Sequence, residues 1–298
     1  MLKIIDVTAA PGGDSRLILS ENEAFLADVG FPFSGAATLA NVKAALDGRT
    51  VDYILITHAH YDHVGALPLF KKAFPDAVVV ECAATNSILE RPGARKFIAD
   101  MDMNAAGESG RGFDVGSYSG DYDFPAADLI VADGDIIQAR DATIEVLETP
   151  GHTRDSVMYF FREDGLLISN ETTGVLLQGG QVHASFVTSY LQALEAIDRA
   201  EKLGAKTIIL PHGSIIDGEQ AAGYFARSRE SATNKAETIL RCHDAGMSED
   251  EIVEEVKRKF FFTRTPEDRA MQPEKAFEVN QRATIPKLLA ELRPQEQA

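Results

Sequence analysis

Residues 57–63 read Thr57-His58-Ala59-His60-Tyr61-Asp62-His63 and carry three of the chain's seven histidines with one carboxylate. Neutral imidazole and carboxylate are the common protein ligands for zinc and related divalent ions. His58, His60, Asp62 and His63 directly follow an apolar run, Val51 to Ile56, which points to a metal site held at the end of a rigid strand. Such a site can generate hydroxide at neutral pH and polarise a carbonyl.

Three later positions repeat the arrangement. His152 lies in Thr149-Pro150-Gly151-His152-Thr153, after an expected strand from Ile144 to Leu147. Glu171 lies in Ser169-Asn170-Glu171-Thr172, after Leu166 to Ser169, and His212 in Leu210-Pro211-His212-Gly213, after Ile208 to Leu210. Each is a strand, a short turn and a ligand type. Loops on one edge of a sheet can gather such groups into a single pocket.

The elements that must position these groups alternate. Short strands are expected at Ile4 to Val7, Leu17 to Leu19 and Ala24 to Asp28, then a helix from Thr38 to Leu46 and the strand Val51 to Ile56. A turn through the histidine cluster leads to a helix from Val64 to Phe74, a strand at Val78 to Val80 and a helix from Ala83 to Leu89. Residues 91–127, rich in Gly, Asp, Ser and Met, break the pattern and read as a long functional or mobile loop or a surface insertion. Strands resume at Leu129 to Val131, Ile136 to Ala139, Ile144 to Leu147, Val157 to Phe161 and Leu166 to Ser169. A helix from Ser189 to Leu203 and a last clear strand, Ile208 to Leu210, follow. This is an α/β layered pattern.

From about residue 218 the chain reads as helical. Gly246 suits a helix C-cap, and Ser248 with Glu251 forms a capping box. Phe260-Phe261-Phe262 would pack on the main domain, wall a substrate pocket or form a dimer interface. Pro273 suits the first turn of a final helix, which Pro286 should kink or interrupt.

Composition narrows the function classes. A net charge of −17 disfavours nucleic acid as a partner and reads most simply as solubility. No run of 18 apolar residues indicates a membrane span. The N-terminus lacks a signal peptide's apolar region, and Cys82 and Cys242 are too few for a disulfide framework, so a cytoplasmic protein is expected.

The motifs His58-x-His60-x-Asp62-His63, then His152, Glu171 and His212, resemble those of the metallo-β-lactamase fold superfamily, in order and at the same strand ends, over roughly residues 1 to 215. The resemblance implies a four-layer αββα sandwich over residues 1–217, with a helical C-terminal extension over 218–298. It implies that His58, His60 and His152 bind one metal, that Asp62, His63 and His212 bind a second, and that Glu171 and a water or hydroxide bridge them. Two divalent ions are expected, zinc first, with iron or manganese as alternatives. The usual bridging residue is Asp, commonly after Gly; here the pair is Asn170-Glu171, which can alter metal spacing or selectivity, or leave one metal only.

The implied reaction is attack of the shared hydroxide on an ester, thioester or lactone carbonyl, with Asp62 orienting the nucleophile. His183, Tyr190 and Tyr122 lie in loops near the expected mouth. They are the candidate donors of the leaving-group proton, His183 first, with a metal-bound water as the alternative, and His243 is an ordinary surface residue. The helical tail is similar to those of glyoxalase II-like and alkylquinolone-biosynthesis thioesterases. It lacks a basic glutathione-binding pattern, so glyoxalase II itself is not expected; nor is a secreted β-lactamase or a nuclease. The competing readings are an iron-dependent redox enzyme on the same scaffold and a metal-retaining regulator. The expected partner is a small-molecule substrate, with a homodimer through the C-terminal helices as the assembly to consider.

Overall fold

A computed structural model describes residues 2–109 and 122–293. The chain divides into two compact units, Met1–Glu148 with Val157–Ile168, and Thr149–Ser156 with Ser169–Ala298.

The first unit opens with strands β1 (Lys3–Asp6), β2 (Arg16–Leu19) and β3 (Ala24–Ala27), paired antiparallel. Helix α1 (Gly35–Leu46) carries the chain to β4 (Tyr53–Leu55), parallel to β3. The short helix α2 (Tyr61–Val64) and α3 (Leu67–Ala73) precede β5 (Val78–Cys82); α4 (Ala83–Glu90) and α5 (Pro92–Ser109) precede β6 (Leu129–Val131). β4, β5 and β6 continue the sheet in parallel. Parallel neighbours need crossovers, and the intervening helices supply them. Leu26, Ile54, Val64, Leu67, Phe70 and Val79 share one buried cluster beneath these helices.

A second sheet in this unit is an antiparallel run of β7 (Ile136–Gln138), β8 (Thr143–Glu148), β9 (Val157–Phe161) and β10 (Leu166–Ile168). Every residue of β9 is buried, as a strand covered on both faces requires. The Phe161 ring meets Phe25 of the first sheet edge-on at 5.2 Å, and the Tyr159 hydroxyl donates to the Ile56 carbonyl at 2.8 Å. Two facing sheets with flanking helices give the expected α/β class.

The second unit carries β11 (Val175–Leu176) paired with β12 (Val182–His183), helix α6 (Tyr190–Lys202), and β13 (Thr207–Ile209) paired with β14 (Ile215–Asp217). Helices α7 (Gly218–Asp244), α8 (Glu249–Phe260), α9 (Pro266–Met271) and α10 (Glu274–Leu292) complete it. The Ser248–Glu251 capping box is formed, and Gly246 adopts φ +78° after α7. Among the described residues no helix is long and apolar enough to cross a membrane.

Several expectations are corrected. The single helix expected from Val64 to Phe74 is two, α2 ending at Val64 and α3 beginning at Leu67, and Asp62 and His63 sit on α2 rather than in a turn before the helix. The stretch read as a loop from residue 91 is helical over Pro92–Ser109. Ile98, Asp102, Ala105 and Ala106 fall at helical spacing and are buried, so tertiary burial outweighs two glycines. Residues 110–121 of that stretch, with Gly110, Gly112, Gly116 and Gly120, lie outside the described residues, and 122–127 form no helix or strand. Ile208 to Leu210 does not end the strands; β14 follows. Pro286 does not interrupt α10, where its neighbours Ile285 and Leu288 are buried. Phe261 packs on Phe277 at 5.2 Å, whereas Phe262 is exposed.

Two positions here yield predictions. A Cβ on Gly65 would lie 2.3 Å from both Pro32 Cδ and the Tyr61 carbonyl oxygen. Gly65→Ala is therefore expected to cost about 1–3 kcal/mol by overpacking the turn after the histidine cluster, read as a lower Tm. Asp102 of α5 accepts from the Tyr122 hydroxyl at 2.9 Å and the Phe33 N–H at 3.4 Å, and burial pushes its carboxyl up to about 6. An acid whose folded pKa is raised binds more protons when folded, so its ionisation lowers stability as pH climbs from about 4 to 6. Asp102→Asn is expected to raise Tm by about 2–4 °C at pH 7.5 and by less at pH 4, measured by calorimetry.

Candidate metal centre

In the first unit the strand β3 ends at Asp28, which adopts a left-handed φ of 53°. Its carboxylate accepts from the Thr57 N–H at 2.9 Å and the Thr57 hydroxyl at 2.7 Å, and meets His63 Nδ1 at 2.9 Å. Burial pushes Asp28 above the usual carboxylate range, while the His63 charge and hydrogen bond pull it back. His58 Nδ1 lies 3.1 Å from Thr57 Oγ1. Because the Thr57 proton goes to Asp28, that oxygen receives the His58 Nδ1–H.

The three rings of the cluster come together. His58 is 4.6 Å from His60 and 4.2 Å from His63, centroid to centroid. His60 is the N-cap of α2, and its carbonyl accepts from the His63 and Val64 N–H groups at 3.0 and 2.9 Å. Asp62 Oδ2 lies 3.8 Å from His63 Nε2, and the Asp62 carbonyl accepts from the Asp14 N–H at 3.0 Å. Asp14 joins Asp28 and His63 in a buried group behind the cluster and pairs with the buried Arg16 at 3.2 Å.

In the second unit His152 follows Gly151, where φ is +148° and a Cβ would sit 2.8 Å from Ala193 and Thr172. The His152 Nδ1–H donates to the Ser185 carbonyl at 2.6 Å, and its backbone N–H to Thr172 Oγ1 at 3.1 Å. Glu171 opens a short 3-10 turn capped by Asn170. The Asn170 side-chain oxygen accepts from the Thr172 N–H at 3.0 Å, and its amide donates to Thr149 Oγ1 at 2.9 Å. Asn170 thus ties the His152 loop to the Glu171 turn. Tyr224 and Ser228 of α7 clamp the end of that turn through the Thr173 carbonyl.

Glu171 Oε1 and His212 Nε2 are 2.9 Å apart. His212 holds φ 59° and ψ 33°, a left-handed conformation that disfavours a Cβ by about 1 kcal/mol. The described non-glycine residues with positive φ are Asp28, Asp47 and His212, and Asp47 merely ends α1. The other two, Asp28 and His212, carry their backbone strain at metal-capable side chains.

The remaining expectations fall elsewhere. His183 is buried in β12 with its ring 5.6 Å from Phe277. Burial and then the charges of Arg264, Lys235 and His152 hold its pKa well below the usual histidine range, so it is neutral and carries no second proton to give. The Tyr122 hydroxyl is engaged by Asp102, and the Tyr190 hydroxyl lies 3.5 Å from Thr233 Oγ1. His243 is half-buried beside Asp244 on α7. Asp28, Asn170 and the Ser185 carbonyl went unrecognised in sequence. Asp28 offered one signal, its place at the end of a strand, which the metal-capable positions share.

A sequence model of the metallo-beta-lactamase superfamily matches residues 11–212. The chain is 30% identical over 167 residues to a probable metallo-hydrolase of Bacillus subtilis, covering 56% of this chain and 67% of that protein. It is 32% identical over 139 residues to a hydroxyacylglutathione hydrolase of Rhodopseudomonas palustris, covering 46% of this chain and 40% of that protein. The match thus spans less than half of the latter relative. A metallo-beta-lactamase family protein from Thermus thermophilus superposes with a TM-score of 0.66 at 18% identity, over 99% of this chain and 94% of that one. At that identity the likeness shows a shared fold.

Proposed function

This chain belongs to the metallo-beta-lactamase superfamily, and on that premise we propose that it is a metal-dependent hydrolase of esters and thioesters. From the order of the motifs within the family match, we assign His58, His60 and His152 to one divalent ion, and Asp62, His63 and His212 to a second, with Glu171 shared. The observation that carries this reading is how three imidazoles are held. His58, His63 and His152 each engage Nδ1 with Thr57, Asp28 and the Ser185 carbonyl. A histidine whose Nδ1–H is donated keeps its Nε2 lone pair for a ligand, the arrangement that orients metal-binding histidines. Imidazole and carboxylate donors without thiolate suit zinc, iron or manganese.

When bound, such ions supply Lewis acidity and acidify coordinated water to a pKa of about 7. The chain's own residues contribute positioning. In this reading Asp62 accepts a hydrogen bond from the attacking water and aims it at the substrate carbonyl. Asp28 holds the His63 ring in one tautomer and orientation, while Asn170 and Thr172 keep His152 and Glu171 at a fixed spacing. The relative named hydroxyacylglutathione hydrolase supports thioesters ahead of lactones as the substrate class.

The test combines metal analysis of the purified protein with a screen of p-nitrophenyl esters, acyl thioesters and homoserine lactones under defined zinc, manganese or iron. Metal near two equivalents and turnover that a chelator abolishes are expected. Full metal occupancy with no turnover in any class would sink the proposal.

A further inference from the structure

The second unit holds basic side chains that hydrolysis as described does not use. Lys235 of α7 is 1% exposed, and Arg264, between α8 and α9, is 7% exposed. Such residues are almost never buried unless paired. Yet among the described residues their hydrogen-bond partners are neutral. Lys235 Nζ donates to the Ala184 carbonyl at 3.3 Å; Arg264 Nε donates to the Phe260 carbonyl at 2.8 Å and Nη1 to Gln272 Oε1 at 3.1 Å. Arg264 Nη2 is buried with no hydrogen-bond partner among the described residues. Asp268 offsets part of the Arg264 charge, but its carboxylate is also taken up by the Thr265 hydroxyl and the Gln178 N–H.

Aromatic rings wall the two cations. Lys235 Nζ lies 4.7 Å from the Phe186 centroid, and the Arg264 guanidinium 5.0 Å from Phe277 and 5.5 Å from Phe261. Burial and then the Arg264 charge push Lys235 down to about 7, and burial takes Arg264 down to about 10. A negative group beside them would reverse both effects. The cluster also borders the metal ligand. Ala184 receives Lys235, the next carbonyl, Ser185, receives His152 Nδ1, and the next ring, Phe186, lies under Lys235.

We infer that Lys235 and Arg264 form an anion subsite beside His152, and that the substrate carries a carboxylate or phosphate group in addition to its scissile ester or thioester. The substrate half of this inference rests on the hydrolase reading. The flanking rings suit an acidic group borne on an apolar arm. With a net charge of −17 the protein's overall field repels anions, so attraction has to come from cations acting at short range.

Two measurements test it on the full chain at equal metal loading. In the first, inorganic phosphate and, separately, glutarate are titrated by calorimetry into wild type, Lys235→Met and Arg264→Gln. Saturable binding of one anion identifies the group, and a loss of at least about tenfold in either variant is expected. Removing one of two unpaired buried cations should not unfold the chain, and each variant backs up the other. No saturable binding, or equal affinity in all three proteins, overturns the subsite. In the second, kcat/KM for mono-p-nitrophenyl glutarate is divided by that for p-nitrophenyl valerate. Lys235→Met should lower this ratio about tenfold or more, a change that general destabilisation would not produce; an unchanged ratio counts against the inference. If neither ester is turned over, the hydrolase reading fails while the binding titration still decides the subsite.

Discussion

Replacing His58 and His60 together with alanine is expected to lower kcat/KM by at least about a thousandfold on whichever ester or thioester the protein hydrolyses, because metal-borne charge stabilisation is worth several kcal/mol. Bound metal should fall from near two equivalents to no more than one. Both histidines are assigned to the same ion, so one substitution leaves a weakened site and two leave only His152. His58 is fully buried and its Nδ1 is tied to Thr57, so the variant also loses some packing. A cooperative thermal transition retained at reduced Tm would separate loss of metal from loss of fold. Activity within tenfold of wild type would exclude the proposed ligand set.

Asp28→Asn is the second large effect, and it acts at a distance from the substrate. The substitution keeps the shape of a side chain that accepts three hydrogen bonds but removes its charge and offers an amide N–H to one of its partners. His63 would then lose its fixed tautomer. Where a carboxylate orients a catalytic imidazole, the matching amide costs up to about 10⁴ in kcat, and outer partners of metal-bound histidines typically account for about 10–100-fold in metal affinity. We expect metal affinity to fall by that factor, measured by competition with a chelating dye. Tm should change little, because burial already pushes the Asp28 pKa up and the variant removes a buried charge. Unchanged metal affinity would show that Asp28 serves the fold and not the centre.

Much of the scaffold was legible because its signals are local. The strand Val157–Phe161 is an unbroken apolar run, and the Ser248–Glu251 box starts α8 where Ser-x-x-Glu predicts. Where expectation failed, burial had overruled composition. The glycines near α5 suggested a loop, but Ile98, Asp102, Ala105 and Ala106 supply a buried helical stripe. Pro286 removes one donor from α10, yet Ile285 and Leu288 stay buried on either side. The two-residue strands β11 and β12 were invisible, since a pairing so short has no periodicity to read.

The amino-acid sequence by itself determined the metal-capable side chains and their order: His58, His60, Asp62 and His63 after one strand, then His152, Glu171 and His212 after three others. These are properties of side-chain chemistry and of short apolar runs, both carried within a few residues. Tertiary structure alone decided how those side chains are oriented. His63 meets Asp28 from 35 residues away, His152 meets the Ser185 carbonyl across 33, and Glu171 meets His212 across 41. It also decided that Lys235 is buried rather than displayed on a polar helix, and that His183 is a neutral core residue. Contacts of that separation form only when the whole chain closes its loops and excludes water, and no local propensity encodes that balance of burial against chain entropy.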